Sequence, residues 1–283
     1  MQTSSRREIL WQKALNVSDN ALRCSSLSPL SSSLDRIVRY QQSNFEIRSL
    51  TSAMPKHLNK YGPKDNPFAP WDKALEISPI NSSHTLILNK YPISKGHMLL
   101  ITNEWNPQNG WLEMADFDAL SVVDRDTSGL WFFNSDTAAG ASQPHRHLQL
   151  LRRSLGESPC PRSIWFCNSL GHINYKKLTT SSFNIESRKN RSGLYYDKEL
   201  YTLYLSLCAS LGLGNPNEDI KPKHPYNLLI SNNWMAIFSR SREEYKGFSV
   251  NALGFAGYLL ATSESDINWL DKEGPLALLN AVI

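Results

Sequence analysis

Apolar and polar positions recur along this chain with two periods, and the changes between them divide it into elements. Near the N-terminus, "ILWQKALNVSDNALRC" has apolar positions interrupted by Gln12, Lys13 and Asn16, the pattern of an amphipathic helix and not of a signal peptide. The Ser-rich stretch "CSSLSPLSSS" reads as a break between two helices, which predicts a helical N-terminal segment over residues 1–54. In "LNKYGPKDNPFAPWDKAL", Pro63, Pro67 and Pro70 forbid regular structure, while Phe68 and Trp71 suit a loop that wraps a flat ligand. Two strand-like runs follow, "HTLILNK" and "HMLLIT", joined by "YPISKG". Leu112, Ala115, Leu120 and Val123 place a helix over residues 112–124. "GLWFFNSD" and "HRHLQLL" then read as strands separated by the loop "TAAGASQP". The order strand–strand–helix–strand–strand predicts an α+β unit, an antiparallel sheet with a helix packed on it.

Residues 160–192 are polar and carry no clear period. Beyond them, Leu200, Leu203, Tyr204, Leu207, Cys208 and Leu211 predict a helix over about 195–211, ended by Gly212 and Gly214. "PYNLLIS", the turn Asn232-Asn233 and "WMAIFSRS" form a second strand pair. "FSVNALGFAGYLLAT" is a further apolar segment in which Gly254 and Gly257 allow close backbone approach, and a last helix starts at "SESD", with Pro275 opening its final turns. The two strand pairs echo one another, each followed by a segment with a motif-like asparagine, Asn134 and Asn251. The echo predicts one globular unit over 1–283, with a half at 55–160 and a related half at 195–283, of which only the first carries the histidine motif.

Composition narrows the function. A net charge of +4 with 20% charged residues gives no case for a general binder of nucleic acid or membrane surfaces. It suits either a small polyanionic ligand or an ordinary surface. No apolar run approaches membrane-spanning length, and Cys24, Cys160, Cys167 and Cys208 form none of the close pairs of zinc or redox motifs. A cytoplasmic protein with free thiols is expected.

The chemistry is concentrated in "GASQPHRHLQLL", where His145, His147 and Gln149 alternate with Leu148 and Leu150. In a strand, residues two apart share a face, so the three polar groups project together. A metal would need a third N, S or O ligand from elsewhere in the chain, since the neighbouring sequence supplies none. The other use of such a pair is nucleophilic attack on phosphorus: one imidazole nitrogen attacks while the other donates a hydrogen bond that fixes the tautomer. "NSDTAAGASQ" supplies Asn134, Ser135, Ser142 and Gln143 among small residues, and Gly140 and Ala141 let backbone N–H groups come close to phosphate oxygens. Gln149 can hydrogen-bond phosphate but cannot act as an acid or base at neutral pH, which favours transfer over hydrolysis.

"DNPFAPWD", "NKYPISKGHMLLIT", "NSDTAAGASQPHRHLQLL" and "YNLLISNNWMAIFSRS…NALGFAGYLL" together resemble the diadenosine tetraphosphate phosphorylases, or ATP adenylyltransferases, over roughly residues 55–262. These form the transferase branch of the histidine-triad superfamily. The resemblance implies a histidine-triad-like α+β fold of two related halves. It also implies reversible phosphorolysis of diadenosine tetraphosphate by orthophosphate to ATP and ADP. On that mapping His147 is the nucleophile carrying AMP, His145 orients and polarises the site, and Gln149 binds the α-phosphate. Asn134, Ser135, Gly140, Ala141, Ser142 and Gln143 hold the phosphate chain, with Lys90 and Lys95 as further phosphate contacts. Phe68 or Trp71 faces the base or packs in the core. Partners are then small nucleotides, not nucleic acid or membrane; no cofactor is covalently bound, Mg²⁺ accompanies the substrate phosphates, and the oligomeric state is open. The alternatives are a hexose-1-phosphate uridylyltransferase-like enzyme, which uses the same H-x-H-x-Q logic, and a nucleotide-binding protein that has lost catalysis.

Overall fold

The computed structural model describes residues 6–40, 42–51, 66–153, 157–170, 182–188 and 196–283. An amphipathic helix α1 (Ile9–Arg23) opens the chain as its apolar spacing predicts. The rest of the N-terminal segment departs from the helical expectation: past the Ser-rich connection lie two antiparallel strands, β1 (Ser32–Tyr40) and β2 (Ser43–Leu50). The reason is visible in β2, where Phe45 and Ile47 are buried two residues apart, a strand period. Residues 52–54 of that expectation, and residues 58–65 of the proline-rich loop, lie outside the described residues.

The first predicted hairpin is β4 (His84–Leu88) and β5 (Met98–Thr102), flanked by the short β3 (Glu76–Pro79). The helix α2 (Met114–Asp126) and the strands β6 (Leu130–Asn134) and β7 (His147–Leu151) follow. The region without a period contributes α3 (Ser163–Ser169) and β8 (Phe183–Ser187). Helix α4 (Tyr196–Ser210) matches its predicted span to one residue at each end, and the second hairpin is β9 (Tyr226–Ile230) and β10 (Trp234–Ser239). A small ladder of β11 (Glu244–Tyr245) and β12 (Phe248–Ser249) precedes the apolar "NALGFAGYLL" segment, which splits into helix α5 (Ala252–Ala256) and strand β13 (Tyr258–Ala261). Asp266 caps α6 (Ile267–Glu273), its carboxylate accepting from the Trp269 N–H, and Pro275 opens α7 (Pro275–Ala281).

Eight strands form one antiparallel sheet in the order β3-β4-β5-β7-β6-β9-β10-β8. Strand β7, which carries the H-x-H-x-Q motif from its second histidine, sits inside it, and β6 pairs with β9 to join the first set of strands to the second. The three strands β1-β2-β13 form a separate sheet, in which β13 runs parallel to β2. Strand parity then sorts the side chains. Leu86, Leu100, Leu148, Trp131, Leu228 and Met235 share a core with α1, α2 and α4 on one face. On the other face Phe132, Leu229, Trp234 and Phe238 pack against Phe45, Ile47 and helices α3, α5 and α7. Burial on both faces explains why β4, β5, β6, β9 and β10, and β7 apart from its polar motif positions, read as nearly continuous apolar runs. Each large side chain so buried contributes about 1.5–3 kcal/mol. The second face is covered differently at its first strands, where Ile87, Leu99 and Ile101 meet Phe68 and Trp71 from the proline-rich loop. Among the described residues no helix is long and apolar enough to cross a membrane.

Candidate active site

His147 opens β7 opposite Ile101, and Gln149 lies opposite both Leu99 and Phe132. Both polar side chains therefore belong to the second face of the sheet, beneath the Phe68 loop, while Leu148 and Leu150 anchor the strand in the first core. His145, expected to open this strand, lies two residues before it. It makes an isolated bridge to Pro107, because residues before His147 pair with the connection after β5 and not with β6. The two imidazoles nevertheless stay together: the Phe68 ring lies 5.6 Å from His145 and 5.4 Å from His147 between centroids.

The hydrogen bonds fix the tautomers. His147 Nδ1 is 2.8 Å from the His145 carbonyl oxygen, which can only accept, so Nδ1 carries the proton and Nε2 presents its lone pair. Burial pushes the His147 pKa down to about 4, so the ring is neutral at neutral pH. His145 Nε2 donates to the Thr102 carbonyl oxygen at 2.9 Å, and its Nδ1 accepts from Asn66 Nδ2 at 2.9 Å. Its pKa is lowered, chiefly by burial. On the other side of the strand Arg146 bonds Glu113 at 3.0 Å and Asp116 at 3.1 Å, and Asp116 also accepts from His84 Nε2 at 3.0 Å. These contacts tie the stretch between the histidines to α2 and β4.

Gln149 is held by a residue the motif does not contain. His97 Nε2 lies 3.1 Å from Gln149 Oε1, and burial pushes the His97 pKa down to about 4. A neutral His97 that donates to the carboxamide oxygen turns the Gln149 NH₂ group the other way. His97, and Gln108, whose Oε1 accepts from the His147 N–H at 2.9 Å, are thus candidate site residues that the motif reading missed, and Asn66 lies in the quoted "DNPFAPWD" stretch without having been singled out. His97 could have been found from its phase, since it shares parity with Leu99 and Ile101 on the histidine face. Trp105 adds an exposed indole whose ring lies 5.3 Å from His145.

The loop between β6 and β7 has structural ties as well. Asn134 Oδ1 accepts from Asn227 Nδ2 at 2.8 Å and from the Ala252 N–H at 2.9 Å. The Ser135 hydroxyl accepts from the Tyr226 N–H at 2.8 Å. Gly140 has φ +81°, and a Cβ there would stand 2.7 Å from the Asn251 Cβ, so the loop lies directly on the N-cap of α5. Ala141 is buried and Ser142 exposed. The Gln143 Oε1 atom is buried with no hydrogen-bond partner among the described residues. Beside Ser135 and Asp136 opens a cleft of about 130 Å³, whose other walls include Asn109, Lys221, Lys223 and His224.

The two lysines proposed for phosphate contact are not brought to the histidines. Lys95 pairs with Asp19 of α1 at 2.6 Å, on the helical side of the sheet, and Lys90 is exposed at the end of β4, where its carbonyl accepts from the Ser28 N–H. Trp71 likewise turns from the imidazoles, donating to Glu76 at 2.7 Å. Among the described residues no group of three or more His, Cys, Asp or Glu side chains is arranged to hold a metal.

Residues 1–163 match the model of the Ap4A phosphorylase N-terminal domain, and residues 176–283 match that of the ATP adenylyltransferase C-terminal domain. The chain belongs to the Ap4A phosphorylase family. Protein APA1 of Saccharomyces cerevisiae is 27% identical over 65% of this chain and 63% of its own length, so the match spans just under two thirds of that relative. Diadenosine 5',5'''-P1,P4-tetraphosphate phosphorylase 2 of the same yeast is 23% identical over 80% of this chain and 77% of its own. In structure, the chain resembles yeast Ap4A phosphorylase Apa2 crystallised in complex with Ap4A, with a TM-score of 0.74, 19% identity and coverage of 95% of this chain and 94% of that one. The overall fold is thus shared with an Ap4A phosphorylase across nearly the whole chain.

Proposed function

We propose that this protein cleaves diadenosine tetraphosphate with orthophosphate to give ATP and ADP, through an adenylyl group carried on His147. The observation that carries the reading is the His147 tautomer: a buried, neutral ring whose Nδ1–H is spent on the His145 carbonyl and whose Nε2 is nucleophilic. In the first step the Nε2 lone pair forms a bond to an α-phosphorus, the bond from that phosphorus to the bridging oxygen breaks, and ATP leaves. The Nδ1 proton stays in place, and the positive charge gained by the ring strengthens its hydrogen bond to the carbonyl oxygen it faces. In the second step an orthophosphate oxygen attacks the same phosphorus, the N–P bond breaks, and ADP leaves with His147 neutral again.

The remaining roles follow from placement. Gln149, turned by His97, offers N–H donors to the oxygens of the α-phosphate. Gln143, through its amide NH₂, and Ser142, through its hydroxyl, would donate to the phosphate chain together with the backbone N–H groups of Gly140 and Ala141. Phe68 packs on both imidazoles and walls the site on the adenosine side. Mg²⁺ would accompany the substrate phosphates, and the partners are the nucleotides themselves, in the cytoplasm. The hairpins β4–β5 and β9–β10 on either side of the β6·β9 junction support a histidine-triad-like fold of two related halves.

The test is chromatography of products after mixing the protein with diadenosine tetraphosphate and Mg²⁺, with and without orthophosphate. ATP plus ADP formed only with phosphate is expected. ATP plus AMP without phosphate identifies a hydrolase, and no turnover returns the uridylyltransferase and the silent binder. His147→Ala is expected to abolish turnover and the acid-labile label from α-labelled substrate while the protein stays folded by circular dichroism. Labelling that persists in this variant assigns the nucleophile elsewhere.

A further inference from the structure

Strands β6 and β7 pair only as far as Phe132 and Gln149. Two steps further in the same register, Asn134 would stand opposite His147, but the β6·β7 pairing has ended there, although on its other side Asn134 still pairs with Asn227 of β9. A side chain occupies the gap. Gln108 Nε2 donates to the Asn134 carbonyl at 2.6 Å and reaches the His147 carbonyl at 3.4 Å, while its Oε1 accepts from the His147 N–H at 2.9 Å. A carboxamide carries the donor and acceptor of a peptide group, so Gln108 supplies the missing rung of the ladder. Its own backbone is fixed too: the Gln108 N–H donates to the Pro144 carbonyl, and the Arg146 N–H donates to the Asn106 carbonyl, both at 2.8 Å. Gln108 is buried, so water does not compete for these bonds.

We infer that Gln108 is a positioning residue for adenylyl transfer, setting the His147 main chain, and through it the ring, at a fixed distance from the phosphate loop that begins at Asn134. The inference rests on the role proposed for His147. The ring is aimed by a bond to the carbonyl of His145, two residues back, so a change in the backbone at His147 re-aims Nε2. Displacement of a reacting atom by about 1 Å can lower a rate on the order of 100-fold.

Two variants test it. Gln108→Met keeps the length and removes both hydrogen-bonding functions; kcat for phosphorolysis is expected to fall about 10- to 100-fold, with KM for diadenosine tetraphosphate changed less than about threefold. Gln108→Glu separates positioning from packing. As a carboxylate the introduced group cannot donate to the Asn134 carbonyl; protonated, it regains one donor and one acceptor in nearly the original shape. Its kcat relative to the unmodified protein is therefore expected to rise as pH falls, with the melting temperature of each protein followed in parallel. A kcat equal to the unmodified protein's in both variants overturns the inference. So does a ratio for Gln108→Glu that is flat with pH, or a loss of activity that only tracks the loss of folded protein. An unmodified protein that forms no ADP overturns the phosphorylase reading itself, and is recognised before either variant is measured.

Discussion

A neutral imidazole attacks through the nitrogen that lacks a proton, so the choice of tautomer decides whether a buried histidine is a nucleophile or a spectator. Here the choice is made by carbonyl oxygens, for His147 by that of His145 and for His145 by that of Thr102. The same logic governs Gln149, whose orientation depends on which nitrogen of His97 carries the proton. His97→Phe removes that donor and keeps a ring in the slot beside Phe132. It is expected to lower kcat about 10-fold, the kinetic equivalent of one hydrogen bond to a buried polar group. In a background already carrying Gln149→Ala the same change is expected to have little further effect, because the two residues act through one bond. Steady-state kinetics of the four proteins closes the cycle, and additive losses would show that His97 acts by another route. His145, His147, Gln149 and Phe68 were legible in the sequence because they form a periodic motif or stand out among prolines. Gln108 was not: it lies in the aperiodic stretch "NEWNPQNG", and its partners come from two strands that only the fold sets side by side.

At the scale of elements, legibility followed burial. Hairpins β4–β5 and β9–β10 and helix α4 are packed on the core, and their periods read directly. Strand β1 is mostly exposed along its length and sits at the edge of a three-stranded sheet, so "SSLDRIVRY" shows neither period cleanly and reads as a second helix after the Ser-rich break. Its neighbour β2 is completed by β13, a partner more than two hundred residues later that local pattern does not reveal. The loop between β6 and β7 poses a sharper question, whether its glycine serves phosphate or packing. Gly140 and Gly212 both have positive φ, but an added Cβ meets Asn251 at 2.7 Å in the first case and nothing within 4 Å in the second. Gly212→Ala is expected to lose only the dihedral preference, about 1–2 kcal/mol. Gly140→Ala adds the collision and is expected to cost more, with activity falling as the loop shifts. Urea unfolding of both variants measures the difference, and equal losses would remove the close approach as the reason for Gly140.

The whole molecule is held at the seam between its strand sets by buried polar groups. Arg240 donates to Asn227 Oδ1 at 2.5 Å, Asn227 donates to Asn134, and Gln108 joins Asn134 to His147. The site therefore depends on the packing of the two strand sets against each other, and so does the neutrality of its histidines. Burial holds His97 and His147 at about 4, below the value near 6.5 that each regains on unfolding. Both states are neutral above pH 6.5, so the folded protein then has its full stability with respect to these groups. As pH falls from 6.5 toward 4 the unfolded chain takes up protons that the folded one refuses, and stability declines by about 1.4 kcal/mol per pH unit for each histidine. Glu76, whose pKa the hydrogen bond from Lys73 lowers, adds a slope of the same sign at the acid end. The histidine contribution is isolated by comparing the unmodified protein with His97→Phe in denaturant unfolding at pH 7, 6, 5 and 4.5. The variant is expected to lose stability less steeply, by the share of one histidine, whatever its stability at pH 7. Parallel curves would mean that His97 titrates alike in both states, and that the site is open to water at this point instead of sealed by the fold.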